Sequence, residues 1–272
     1  MLVIPTATGS KVSYTVEGSG PPLLLVHGAF SDHDSNWARV APELRRYASV
    51  HAVARRGRGA TEATLGHSLA DEAQDVLAVI RAAGEPVALV GHSYGAHCAL
   101  VAAAREPHRV TKLVLYEPAW PHLIQPDAFA ALEALAGAGA WDQLAYAFFA
   151  NVLHVPSEDL DAVRASDDWP PIVADARASL EDLRALGAYD FDAARFGNLR
   201  VPVLLQVGSE SPREFYVTDA LAAVLPDARV ETLAGQAHEG MTTAPAEYVA
   251  SVLRFLHADT PAAVTATVAT RS

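Results

Sequence analysis

The chain has 272 residues, 51% of them apolar and 19% charged, a balance that suits one large soluble α/β domain able to hold a core without disulfide or metal. Its formal net charge of −12 opposes a polyanionic partner and excludes nucleic-acid binding as a primary role; the one basic run, Arg55-Arg56-Gly57-Arg58, is too short to reverse that. The single cysteine, Cys98, excludes an intrachain disulfide, and no apolar run approaches the ~20 residues needed to cross a bilayer.

Met1-Leu2-Val3-Ile4-Pro5 lacks the charged start and long apolar stretch of a secretory leader, so cytoplasmic residence is expected. Lys11–Glu17 alternates polar and apolar residues and is expected to pair antiparallel at the start of a sheet. Leu23–His27, Val50–Ala54, Val87–Val90 and Val110–Tyr116 are short continuous apolar runs, the pattern of strands buried on both faces of a parallel sheet. Helical patterns at Leu69–Ala83 and Gly95–Arg105 lie between them, giving the β-α alternation of an α/β fold. From Ala119 to Arg200 no strong strand is found. That segment is rich in aromatic residues, with helical patterns at Ala128–Ala136 and Trp141–Leu153 and breaks at Pro156 and Pro170-Pro171. Alternation resumes with strands Val203–Val207 and Arg229–Leu233 and helices Val217–Leu225 and Pro245–Leu256. The expected organisation is a core of 1–118 and 201–257, a helical lid over 119–200, and a disordered tail over 258–272.

Gly91-His92-Ser93-Tyr94-Gly95 follows a strand and opens an alanine-rich helix. A serine at so sharp a strand-to-helix turn takes a strained backbone and projects its hydroxyl clear of the sheet, while the flanking glycines leave room for neighbouring backbone. Ser93 is therefore the candidate nucleophile. The Tyr94 N–H and the Ala29 N–H of His27-Gly28-Ala29-Phe30 are the candidate oxyanion donors. The His27 ring is expected to be structural, hydrogen-bonded beneath its loop.

Eleven histidines compete for the role of general base. His238 is favoured because it lies just past the last strand, where catalytic groups of open parallel sheets gather. Two carboxylates also sit at carboxyl ends of strands, Glu117 after Val110–Tyr116 and Glu210 after Val203–Val207, and either could orient the imidazole. Asp32-His33-Asp34 is unsuited to a metal, because three adjacent loop residues do not converge as a closed ligand set does.

Together these motifs resemble the α/β-hydrolase superfamily over roughly Lys11 to Leu256. The resemblance implies an eight-stranded sheet, a lid after the sixth strand, no cofactor, and the chain order nucleophile, acid, histidine. Two departures stand out. Ala54 replaces the aspartate that many members carry before the Arg-Gly-Arg-Gly-like turn, and Ser211 occupies the place of the usual acid, with Glu210 one position off. Branches including haloalkane dehalogenases and zearalenone-type lactone hydrolases carry a glutamate after the sixth strand, which Glu117 matches; Glu210 remains the alternative. The function implied is a serine hydrolase of a small apolar or aromatic ester or lactone, acting through an acyl-enzyme, with Phe30, Trp120, Trp141 and Phe148 lining the pocket. Carbon–carbon bond hydrolysis or lyase chemistry, cofactor-free oxygen chemistry, and non-catalytic ligand binding are the alternatives. A small-molecule substrate is the partner expected, with no nucleic acid, no membrane and no metal.

Overall fold

The structure, a computed structural model, describes residues 1–7 and 9–258; all but the first residue of the expected tail lies outside the described residues. In chain order the strands are β1 (Leu2–Pro5), β2 (Lys11–Gly18), β3 (Pro22–Val26), β4 (Ser49–Ala54), β5 (Val87–His92), β6 (Val110–Tyr116), β7 (Val203–Gly208) and β8 (Ala228–Leu233). They form one eight-stranded sheet in the order β1-β2-β4-β3-β5-β6-β7-β8. β1, β2 and β4 pair antiparallel in sequence, and every pair from β4–β3 to β7–β8 is parallel. The helices are α1 (Ala41–Leu44), α2 (Leu69–Ala82), α3 (Tyr94–Arg105), α4 (Pro126–Gly137), α5 (Trp141–Asn151), α6 (Ser157–Arg164), α7 (Trp169–Gly187), α8 (Thr218–Ala222), α9 (Gly240–Thr243) and α10 (Pro245–His257).

Alternate strand side chains point to opposite faces, so each apolar run feeds two cores. Leu24, Val26, Leu89, Leu113, Leu115 and Leu205 pack with α2, α3 and α8 on one face. Leu23, Leu25, Val90, Val114 and Leu204 pack with α1, Trp37 and α10 on the other. Continuous burial of this kind explains why β3 reads as an unbroken apolar run. A third cluster, containing Phe30, Leu144, Phe148, Trp169 and Leu180, lies within the helices that connect β6 to β7.

The sequence pattern missed β1, α6 and α7, and α8 is shorter than the Val217–Leu225 expectation. Pro170-Pro171, taken as a break, instead occupies the first turn of the 19-residue helix α7, where a missing N–H costs nothing. Among the described residues no helix is long and apolar enough to cross a membrane.

Candidate active site

The carboxyl ends of β3, β5, β6, β7 and β8 deliver the residues singled out above. Ser93 joins β5 to α3 with φ 53° and ψ −120°, and its N–H donates to the Tyr116 carbonyl at 2.9 Å. A left-handed φ on a residue with a side chain costs on the order of 1–3 kcal/mol, so the surrounding contacts must impose it. The glycines permit it. A Cβ on Gly91 would come within 2.6 Å of Ala96 Cα, and one on Gly95 would overlap the carbonyl oxygens of Val26 and His27.

Glu117, directly after β6, is also left-handed, with φ 48°, and is fully buried. One carboxylate oxygen, Oε1, accepts the Gly208 N–H at 2.7 Å; the other, Oε2, accepts from His238 Nδ1 at 2.6 Å. Glu210 is exposed and accepts from its neighbour Ser209 at 2.9 Å. The structure thus brings Glu117, and not Glu210, to the imidazole. Burial works to lower the His238 pKa, but the hydrogen bond and charge of Glu117 outweigh it and raise the ring above its ordinary value. With Nδ1 engaged by the carboxylate, Nε2 is the free nitrogen of the neutral ring.

Further groups hold His238 that the sequence did not disclose. The Tyr216 ring stacks on the imidazole at 5.4 Å between centroids and 13° between planes. Tyr216 is carried there by strand-like pairing of 118–120 with 215–217, through Trp120 N–H to Phe215 O and Val217 N–H to Pro118 O, both 2.9 Å. The Tyr116 hydroxyl donates to the Ala237 carbonyl and accepts the Gly240 N–H, bracketing His238 on both sides. His92 Nε2–H donates to the His238 carbonyl at 3.0 Å, and its Nδ1 lies 3.0 Å from Asn36 Oδ1. The His92 and His238 rings are 4.7 Å apart, centroid to centroid. Among the described residues the Ser93 hydroxyl makes no hydrogen bond; catalytic contacts of this kind commonly tighten only when substrate is present.

The loop after β3 is pinned from below. His27 Nδ1–H donates to the Gly28 carbonyl at 2.8 Å, and its Nε2 accepts the Arg55 N–H at 3.2 Å, a structural arrangement. Burial first, then the Arg55 and Arg58 charges, push its pKa well down and keep the ring neutral. Asn36 Oδ1 accepts the Gly28 N–H at 3.0 Å. The N–H groups of Ala29 and Tyr94 have no acceptor among the described residues.

The four expected pocket residues do not form one lining. Phe30 and Phe148 stack at 4.4 Å, but their exposures of 3% and 7% show surface committed to packing. Trp141 packs against that same cluster and has Arg177 over its ring. Trp120 belongs with the sheet-side core instead, edge-on to Phe191 at 5.4 Å. Composition carries no direction for individual side chains.

His67, Glu72 and Asp182 converge closely enough to surround a metal ion. Their carboxylates, however, already accept from Arg55 and Arg58 at 2.7–3.2 Å, so guanidinium groups fill the place of a cation. Asp32 Oδ1 caps the Asp34 and Ser35 N–H groups of its own turn, at 3.0 and 2.7 Å.

Residues 23–252 match the family described as alpha/beta hydrolase. Over 111 residues, 39% of the chain, the sequence is 36% identical to a pyrrolizixenacetamide deacetylase of Xenorhabdus hominickii. Over 114 residues, 40% of the chain, it is 41% identical to a 2-hydroxy-6-oxo-2,4-heptadienoate hydrolase of Pseudomonas putida. The chain spans 41% of the length of each of these curated relatives. The crystal structure of an alpha/beta hydrolase from Sphaerobacter thermophilus superposes with a TM-score of 0.82 at 30% identity, covering 94% of this chain and all of that one (100%). With 230 residues matched from Leu23 to Val252 on an eight-stranded sheet, the chain belongs to the alpha/beta hydrolase family.

Proposed function

We propose that this hydrolase transfers an acyl group to water through Ser93, with His238 as general base, Glu117 as the acid that orients it, and the Ala29 and Tyr94 N–H groups as oxyanion donors. The observation that carries the reading is the 2.6 Å hydrogen bond from His238 Nδ1 to a fully buried Glu117 beside the strained Ser93 turn. In the first step Ser93 Oγ attacks the substrate carbonyl carbon, the serine proton passes to His238 Nε2, and the carbonyl π pair becomes the oxyanion. Collapse expels the leaving group, which takes the proton from His238. A water activated by the same ring then releases the acid. Glu117 keeps Nδ1 protonated and stabilises the imidazolium between the steps.

The proposed substrate is a small apolar or aromatic ester or lactone, in keeping with the aromatic cluster beside residue 29. Acyl transfer is also the chemistry named for the deacetylase relative. Carbon–carbon bond hydrolysis by the same residues is the second reading, because the oxo-dienoate named for the Pseudomonas relative contains no ester or amide. Hydrolysis of short p-nitrophenyl esters and of aromatic lactones separates the two. Ser93→Ala is expected to lower turnover by several orders of magnitude. Glu117→Gln is expected to lower it far more than Glu210→Gln. Equal losses in the two glutamine variants, or an active Ser93→Ala protein, would contradict the assignment.

A further inference from the structure

The proposed donor at Ala29 is gripped on both sides. The trans peptide that carries the Ala29 N–H also carries the Gly28 carbonyl, which points the opposite way. That carbonyl accepts from Arg55 Nη2 and His27 Nδ1 at 2.8 Å each. The next peptide ends in the Phe30 N–H, which donates to Ser179 Oγ of α7 at 2.6 Å. Phe30 is itself left-handed, with φ 56°, so the turn needs outside support to persist.

Arg55 is 1% exposed and spends its whole fork here. Nε holds the His27 carbonyl at 2.9 Å, and Nη1 and Nη2 reach Asp182 at 3.0 and 2.7 Å. Its guanidinium carbon also lies 4.7 Å from the centre of the Tyr94 ring, the residue that carries the second donor. Ser179 in turn donates to Asp175 at 2.7 Å and accepts from Arg58 at 3.0 Å.

We propose that Arg55 and Ser179 are positioning residues that aim and polarise the Ala29 N–H toward the developing oxyanion, with Asp182 tying that donor to helix α7. The inference rests on the reading of Ala29 as an oxyanion donor. A donor on an amide oxygen withdraws electron density from the attached nitrogen and strengthens its N–H, and a cationic donor does so more. The planar fork matters because a lysine ammonium cannot hold two carbonyls and a carboxylate in one plane.

The test measures kcat and KM for p-nitrophenyl acetate, and inhibition by an aryl trifluoromethyl ketone, in the wild type, Arg55→Lys, Ser179→Ala and Ser179→Thr. The ketone forms a bond from its carbonyl carbon to Ser93 Oγ, its π pair moves to oxygen, and the serine proton goes to His238. Removing a whole oxyanion donor lowers kcat by on the order of 10²–10³, so a mis-aimed donor is expected to lower it about tenfold to a hundredfold, with KM nearly unchanged. Inhibition by the ketone weakens by the same factor, and Ser179→Thr, which keeps the hydroxyl, recovers most of both. If Arg55→Lys fails to fold, Ser179→Ala, which deletes one neutral oxygen, decides alone. Unchanged kcat and inhibition, a rise in KM only, or loss of the fold in Ser179→Ala each overturn the inference while an active wild type keeps the triad reading. A wild type that neither hydrolyses the ester nor is inhibited by the ketone overturns both.

Discussion

Ser93, Glu117 and Phe30 share an unusual backbone state, a left-handed φ of 53°, 48° and 56° on residues with side chains. Each directly follows, or lies close beyond, the carboxyl end of a strand, and each is held by hydrogen bonds from neighbouring segments. Strain gathered at one end of a sheet is a feature of pre-organised sites. The electrostatics of His238 give a sharp expectation at this scale. Glu117 raises its pKa against the lowering effect of burial. The proposed catalysis requires the neutral ring, so the acid limb of the kcat/KM profile should lie above the ordinary histidine value, and Glu117→Gln should move it to lower pH. An unmoved limb, or one moved upward, would contradict the pairing. The serine and histidine were legible in the sequence because glycine spacing and strand ends are local signals. Tyr216 and Asn36 were not, since a stacked phenol and a loop amide acquire meaning only when distant loops meet.

Among the elements, helix α7 departs furthest from a freely moving lid. Its Asp175, Ser179 and Asp182 reach under the loop after β3, and Asp182 is fully buried between Arg55 and Arg58. The Arg55-Arg56-Gly57-Arg58 run, which the sequence marked as a basic run too short for nucleic acid and as a family-like turn, is the base of this anchor. Breaking a buried pair leaves an uncompensated charge, so Asp182→Asn is expected to cost about 3–5 kcal/mol of stability, read as a lowered urea midpoint. A midpoint within error of the wild type would mean that solvent already reaches the cluster. The anchor escaped the sequence reading because Pro170-Pro171 looks like a break, and the proline preference for a first helical turn needs the helix boundary to be known. The polar residues of α7 likewise gave no sign of which face they serve.

For the whole molecule, the buried ion cluster links folding to pH. Burial alone would lower the His67 pKa, but the carboxylates of Asp182 and Glu72, 3.8 and 3.0 Å from its Nε2, raise it from 6.5 to about 10. A histidine raised on folding contributes stability that is fully present below about pH 6.5 and lost as pH climbs through about 10. Denaturation midpoints should therefore fall between pH 6 and pH 10.5 by more in the wild type than in His67→Gln. Equal falls would place the proton elsewhere. The parallel sheet, its two cores and the helical insertion were all visible as apolar runs and one gap between them, because burial on both faces is written directly into composition. The added edge strand β1, at Leu2–Pro5, was not, since its apolar run is only three residues long before Pro5 and is largely exposed at the sheet edge.

In the proposed mechanism Ser93 is made nucleophilic by His238. The most direct measurement is intact-mass and peptide analysis after a brief exposure to a fluorophosphonate, comparing the wild type with His238→Ala. One adduct on Ser93, formed at least a thousandfold more slowly in the variant, is the predicted result on the scale of a lost triad member. An adduct on another residue, or equal labelling of Ser93 in both proteins, would contradict it.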